Sequence, residues 1–246
     1  MIISEDKCIG CGQCVHYCTA GAISLFEVDG KLKARVNEDL CVECYACLRA
    51  NVCGKGAIKT TKLTWPRILR SIFSNPIAVH RETGIPGRGT EEMKTNDVTN
   101  RFKTGEVGFV IDVGRPNVGT TFREVEKITM ALARTKLVEF EEESPVTYLM
   151  VDKQSGKLRD DVLNERVLSA IIEFKTKVEN LGRVLNALKE VSKSVDTVFS
   201  VGLITRIEED FSSPAIAALR ELSYEFRPNG KINLGLGRAC YEVKGE

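Results

Sequence analysis

The sequence predicts an α+β protein built in two parts, and three observations support this. Eight of the nine cysteines lie between Cys8 and Cys53, which indicates a small cysteine-bound unit at the N-terminus. After residue 106, apolar patterns typical of strands and helices alternate in the order βαββαβ. A polar, glycine-rich stretch separates the two parts, so we place the boundaries at 1–60, 61–105 and 106–246.

The cysteine-rich part contains an internal repeat. It reads CIGCGQCVHYC at 8–18 and CVECYACLRANVC at 41–53, and Ala-Ile follows each fourth cysteine at the same offset. In each run three cysteines are separated by two residues, a spacing that lets thiolates on one tight loop hold three irons of a [4Fe-4S] cubane. The fourth iron faces away from that loop, so its ligand must come from elsewhere.

These runs resemble the bacterial-type two-cluster ferredoxins over residues 1–60. The resemblance implies that the fourth cysteine of each run crosses to the other cluster. The implied cofactors are two [4Fe-4S] clusters, one held by Cys8, Cys11, Cys14 and Cys53 and the other by Cys18, Cys41, Cys44 and Cys47. The chain departs from the family at Thr19 and Gly54, where proline is expected, and in having five residues between Cys47 and Cys53 instead of three.

Two other metal contents remain open from the sequence. Paired CxxC elements also bind structural zinc, although zinc usually takes two separated pairs and not three cysteines in one run. A single cubane beside an empty second site is the other alternative, because the second run is altered. Disulfides are disfavoured, since the cysteines are concentrated in one region and nothing indicates secretion.

The intermediate stretch, 61–105, predicts a linker helix followed by a polar loop. TWPRILRSIF at 64–73 places its apolar residues on one face, which favours a helix that packs the cysteine-rich part onto the rest of the chain. The glycine-rich loop that follows is either a plain linker or a functional loop. Four basic residues are candidates for binding a ligand or a partner there and in the next turn: Arg88, Lys94, Arg101 and Arg115.

The second part predicts four strands and two helices. The expected strands are 107–113, 145–152, 167–175 and 196–205, with helices starting at Thr120 or Thr121 and covering 178–193. This order is that of the ferredoxin-like sandwich, which has no clusters of its own. A C-terminal helix is expected from Pro214, and the acidic stretch 139–144 is expected to be a solvated turn.

The segments GRGTEEMKTNDVTNR and GRPNVGTTFREVEK also resemble the iron–sulfur portion of 6-hydroxynicotinate reductase and its stand-alone homologues. This resemblance implies ferredoxin-dependent, low-potential reduction of an activated ring or a similar acceptor. The family enzyme is about twice as long, and its remaining half, associated with flavin and substrate chemistry, has no counterpart in this sequence. A flavin is therefore expected only on a partner chain.

The predicted function is that of an iron–sulfur electron-transfer protein or subunit that delivers low-potential electrons to a partner reductase. The alternatives are a self-contained ferredoxin-dependent reductase and a redox or metabolite sensor with an ACT-like domain. A formal net charge of +1 disfavours nucleic acid as a partner. No signal-peptide pattern or apolar run of membrane length is found, so a cytoplasmic protein is expected. A redox partner protein is expected, in a homo- or hetero-oligomer.

Overall fold

The computed structural model describes residues 1–86, 100–115 and 118–227. The N-terminal part consists of short elements: β1 Ile2–Ile3, α1 Gln13–His16, β2 Ile23–Val28, β3 Lys31–Val36, α2 Ala46–Arg49 and β4 Ile58–Lys59. Strand β1 pairs with β4, and β2 pairs with β3, both in antiparallel register. The two cysteine loops are thereby held between two small antiparallel sheets.

The hairpin β2–β3 turns at Asp29-Gly30, a dipeptide that favours two-residue hairpin loops. Both residues have left-handed backbone angles, with φ 48° and 73°. Such angles at both positions are those of a type I′ loop, whose twist matches the twist of the flanking strands. The register from Ile23↔Val36 to Val28↔Lys31 follows directly from this turn.

Helix α3, Ile68–Ser74, connects the N-terminal part to the second part. Its Leu69 and Phe73 side chains are buried in the hydrophobic core of the second part. Nearby, the indole Nε1 of Trp65 donates a hydrogen bond of 2.6 Å to Asp161 Oδ2, far along the chain. These contacts seat the N-terminal part against the second part.

The second part is organised around one four-stranded sheet. Its elements are β5 Glu106–Val113, β6 Thr120–Thr121, α4 Phe122–Arg134, β7 Glu139–Phe140, β8 Met150–Asp152, β9 Lys157–Leu158, β10 Arg166–Val167, β11 Ala170–Lys177, α5 Leu181–Val191, β12 Phe199–Thr205 and α6 Pro214–Glu221. The strand order is β12-β5-β11-β7, with every neighbouring pair antiparallel. Helices α4 and α5 pack side by side.

One face of the sheet forms the core with helix α4. Side chains alternate between the two faces of a strand, so Phe109 and Ile111 of β5 point the same way. They pair with Phe174 and Ile172 of β11, and the rings of Phe109 and Phe174 stack at 4.9 Å. All four are at most 1% exposed. Truncating either ring to alanine is expected to cost about 3–5 kcal/mol.

The predicted second strand at 145–152 is wrong. Residues Thr147–Leu149 form a 3-10 turn, and Met150–Asp152 pairs with Lys157–Leu158 in a separate hairpin. The outer strand of the sheet is instead Glu139–Phe140, inside the acidic stretch expected to be a solvated turn. Phe140 takes this position because its ring packs against Phe174, with centroids 6.3 Å apart.

The C-terminal helix α6 begins at Pro214, as predicted. Ser213 caps it by accepting a hydrogen bond of 3.4 Å from the backbone N–H of Ile216. The helix ends at Glu221. Across the described ranges, no helix combines the length and apolar character that crossing a bilayer requires.

Candidate metal centre

Two cavities in the N-terminal part are each lined by four cysteines. We define site I by Cys8, Cys11, Cys14 and Cys53, and site II by Cys18, Cys41, Cys44 and Cys47. The empty space, including part of the adjoining solvent, is about 600 Å³ at site I and about 340 Å³ at site II. The structure thus brings together each predicted set of four, with Cys18 and Cys53 crossing between the two runs.

The loop of site I depends on two glycines. Gly10 and Gly12 have φ 70° and 76°, in the left-handed region that glycine adopts without strain. A Cβ on Gly10 would lie 2.3 Å from the carbonyl oxygen of Leu32, so the hairpin β2–β3 packs directly on the loop backbone. This packing turns the loop so that helix α1 presents Cys14 to the cavity.

At the equivalent positions of the second run, site II has Glu43 and Tyr45 in place of glycine. They keep the same backbone conformation, with φ 52° and 56°. The Glu43 carboxylate is fully buried and accepts from the Met1 amino group at 2.8 Å and from Arg67 Nη2 at 2.7 Å. These ion pairs offset the strain of a left-handed non-glycine residue in the loop.

Hydrogen bonds to sulfur follow the internal repeat. The backbone N–H of Ala22 donates to Cys18 Sγ at 3.0 Å, and that of Ala57 donates to Cys53 Sγ at 3.2 Å, each four residues after its cysteine. Thr19 breaks this symmetry. Its Oγ1 lies 3.3 Å from Cys44 Sγ, whereas the equivalent residue in the second run is a glycine. Such donors stabilise cysteines in the thiolate form that metals bind.

The four sulfurs of site II also perturb one another. Burial raises the pKa of the Cys47 thiol to about 11, and the charges of Cys44, Cys18 and Cys41 add to the rise. Burial is likewise the first cause of the raised pKa values of Cys14 and Cys41. Crowded thiolates in a buried cavity repel one another, and a bound cationic group relieves that repulsion. The donor set therefore fits a cluster of iron and sulfide.

Arginines reach the backbone of the second loop from two directions. Arg49 Nη1 donates to the carbonyl oxygen of Cys44 at 2.5 Å and to Asn75 Oδ1 at 2.7 Å. From α3, Arg70 also binds this loop. From the sequence alone, neither Arg49 nor Arg70 is predicted to belong to the site. The longer spacing before Cys53 was the available signal, since the inserted stretch contains Arg49.

Of the predicted ligand-loop residues, Arg88 and Lys94 lie outside the described residues. Arg101 Nη1 is 2.5 Å from Glu141 Oε1, and the exposed Arg115 lies 3.8 Å from Asp112 Oδ2. Glu141 follows β7 and Asp112 lies in β5, with β11 between these strands. Arg101 and Arg115 therefore contact separate places on the sheet.

The turn between β5 and α4 precedes a helix N-terminus, a position where free N–H groups can bind an anion. In the structure, the N–H of Phe122 donates to the carbonyl oxygen of Glu165 at 3.2 Å, and that of Arg123 donates to Leu163 at 2.9 Å. These two donors are therefore engaged with the protein itself. An anion at this turn would have to compete with them.

Comparison with known proteins assigns the N-terminal segment. Residues 7–62 match the family of 4Fe-4S dicluster domains. No solved structure matches the chain. The segment is a ferredoxin-type module whose cofactors are [4Fe-4S] clusters, two in a dicluster domain, and its role is iron–sulfur electron transfer. The match favours iron over the zinc alternative. The resemblance of the wider chain to 6-hydroxynicotinate reductase stays a prediction.

Proposed function

We propose that this chain is the electron-transfer subunit of an oxidoreductase and delivers low-potential electrons to a partner reductase. The observation that carries the proposal is the pair of four-cysteine cavities within the segment that matches the dicluster domain. A [4Fe-4S] cluster bound at each site supplies reversible one-electron chemistry at low potential. Each site takes its fourth cysteine from the other run, which supports an electron path from one site to the other.

In this proposal the eight cysteines are the cluster ligands, grouped as sites I and II. The backbone N–H groups of Ala22 and Ala57 donate to ligand sulfurs and favour the more negative, reduced state. Apolar side chains line the cavities, among them Ile23 at site II and Ile58 at site I. They limit water at the sulfurs and so protect the sites from hydrolysis.

We assign the second part to the ferredoxin-like sandwich and keep the boundaries at 1–60, 61–105 and 106–246. The strand order β12-β5-β11-β7 and the paired helices support this assignment. Fold alone does not select an activity, so the role of this part is argued from its contacts. Trp65 and Arg70 bind Asp161 and Glu165 of the second part, which gives a reductase docked there a fixed orientation to site II.

The partner in this proposal is a separate reductase chain that carries the flavin and the substrate site. The resemblance to 6-hydroxynicotinate reductase supports an acceptor that is an activated ring or a similar compound. The two cysteine-lined cavities of the described residues support electron carriage more than turnover, because their lining is mostly cluster cysteines and apolar residues.

The test is native mass spectrometry of the chain purified without oxygen from its own source, followed by reductive titration. We expect two clusters per chain, uptake of about two electrons, and a co-purifying polypeptide that carries a flavin. Turnover of a substrate by the isolated chain would favour the self-contained reductase instead. A cluster potential that shifts when a metabolite binds would favour the sensor. Purification with zinc in place of iron would contradict all three.

A further inference from the structure

The internal repeat allows the two cysteine loops to be compared residue by residue. Ile9 and Val42 occupy the same position, directly after the first cysteine of each run, and both are apolar. Ile9 is 64% exposed, whereas Val42 is 2% exposed. The second cysteines differ in the same direction, since Cys11 is exposed and Cys44 is half-buried. Site I therefore opens to solvent where site II is covered.

The cover over the second loop comes from α3 and the residues around it. Arg67 of the segment before α3 binds Glu43 inside the loop, and Arg70 of α3 binds the carbonyl oxygen of Cys41. Leu69 of the same helix is buried in the core of the second part. Site II thus faces the second part, whereas the surface at Cys11 is exposed among the residues that the structure describes.

The surface beside Cys11 is apolar. Leu25 and Leu32 of the hairpin β2–β3 pack at the Gly12 and Gly10 backbone, yet they remain 40% and 52% exposed. With Ile9 they form a patch at the mouth of site I, which we call the Ile9 patch. Exposed apolar patches next to a functional cavity commonly mark a protein interface.

A basic side chain lies at this mouth. Among the residues that line the two cavities in the described chain, Lys55 at site I alone has a charged side chain, and it is exposed. A basic group beside an apolar patch favours a partner with the reverse pattern, an apolar contact surrounded by carboxylates. Small acidic electron carriers fit this description.

We propose that a small acidic one-electron carrier protein docks on the Ile9 patch and reduces the chain through site I. This inference rests on the proposed function and adds which site receives the electron and from what kind of partner. In the step the carrier's cofactor loses one electron and the chain gains it, with no bond formed or broken. Site II then lies between site I and the partner reductase.

The experiment uses the cluster-loaded full chain and a purified flavodoxin, an acidic flavin-bearing carrier, as the probe. Binding of oxidised flavodoxin is measured first, since it involves no electron transfer, and reduction of the chain by reduced flavodoxin is followed second. Ile9→Glu and Lys55→Glu are each expected to weaken binding about tenfold and to slow reduction. The Lys55→Glu effect should shrink at high salt, because the contact is electrostatic.

Leu40→Glu is the matched control. Leu40 is 38% exposed and directly precedes Cys41, so the same charge is placed beside the other loop. It should leave binding unchanged, and every variant should keep its full iron content. Equal effects of Ile9→Glu and Leu40→Glu would overturn the docking site while the electron-transfer function stands. If the wild-type chain accepts electrons from dithionite but never from flavodoxin, the docking proposal fails while the electron-transfer function stands. A cluster-loaded chain that accepts electrons from neither would contradict the proposed function as well.

Discussion

Arg70 Nη1 donates a hydrogen bond of 2.9 Å to the carbonyl oxygen of Cys41, across 29 residues of sequence. The same nitrogen donates to the carbonyl oxygens of Glu38 and Asp39, while Nε pairs with Glu165 at 2.5 Å. The Arg70 side chain is only 9% exposed, so these partners replace its hydration. One guanidinium therefore fixes the loop of site II to the second part of the chain.

Replacing Arg70 by methionine keeps most of the side-chain volume but leaves Glu165 and three carbonyl oxygens without their donor. We expect the free energy of unfolding to fall by about 3 kcal/mol, because breaking a buried ion pair leaves the other charged group, Glu165, buried without its partner. Anaerobic urea unfolding of the cluster-loaded chain measures this, with iron release as a second signal. Iron loss should begin at a lower urea concentration than in the wild type.

Lys193→Met is the control for Arg70→Met. Lys193 pairs with Glu190 at 2.7 Å, but both side chains are more than half exposed. Exposed ion pairs contribute little, so the change should stay within about 0.5 kcal/mol. Similar losses in the two variants would contradict the role given to Arg70.

The features predicted well from sequence are those decided by neighbouring residues. The turn at Asp29-Gly30 follows from two residues that tolerate left-handed angles. Strand β5 was expected at 107–113, within one residue of Glu106–Val113, because its apolar run is continuous. Helix α6 follows from a Ser-Pro pair at its start. Each of these signals is contained in a few adjacent positions.

The features that sequence could not provide depend on distant partners. The run at 145–152 has strand-forming residues, but Glu139–Phe140 forms the edge strand of the sheet, because the Phe140 ring packs against Phe174. Strand propensity reflects how well side chains pack against neighbouring strands, and a single stretch of sequence does not show which strands those are. Arg70 is 95 residues from Glu165, so no local pattern shows their pairing. The sequence shows that Thr19 stands where proline is expected, but its contact with Cys44 is visible only in the fold.

Thr19→Val should lower the reduction potential of one cluster and leave the other unchanged. With Cys44 as a thiolate, the Thr19 hydroxyl is the donor of the 3.3 Å contact, and this donor stabilises the reduced cluster at site II. A net hydrogen bond of about 1 kcal/mol corresponds to about 40 mV for a one-electron couple at about 59 mV per tenfold change. Potentiometric titration followed by electron paramagnetic resonance resolves the two clusters.

Thr60→Val is the control for Thr19→Val, since Thr60 is an exposed threonine at the end of the same part of the chain. It should leave both potentials at their wild-type values. A shift of both clusters in Thr19→Val, or of neither, would contradict an effect through Cys44.

The crossed ligand sets predict which cysteine variants behave alike. Cys11→Ala and Cys53→Ala should lose the same cluster, although the two residues lie in different runs, because both line site I. Cys18→Ala and Cys44→Ala should lose the other. Iron should fall from about eight to about four atoms per chain, and the remaining resonance spectrum should match within each pair. Matching spectra for Cys53→Ala and Cys44→Ala would show that the fourth ligands do not cross.

Cys53 and Cys47 should differ in reactivity in the iron-free chain. Burial opposes the Cys53 thiolate, but backbone N–H groups, with that of Ala57 first, outweigh it and lower the pKa. Burial and the neighbouring cysteine charges raise the pKa of Cys47 to about 11. Only the thiolate attacks iodoacetamide, so below its pKa the rate of a thiol rises about tenfold per pH unit and then levels off.

Peptide mass spectrometry of the folded, iron-free chain after timed alkylation measures both sites at once. Cys53 should reach its plateau at a lower pH than Cys47, whose rate should still be rising at pH 10. Restricted access of the reagent lowers the reaction rate by the same factor at every pH and does not change the pH at which the rate levels off. The pH profile therefore distinguishes a shifted pKa from restricted access. In urea the two profiles should coincide, because both causes require the fold. Coincident profiles in the folded chain would show that the loops of sites I and II form only when iron binds.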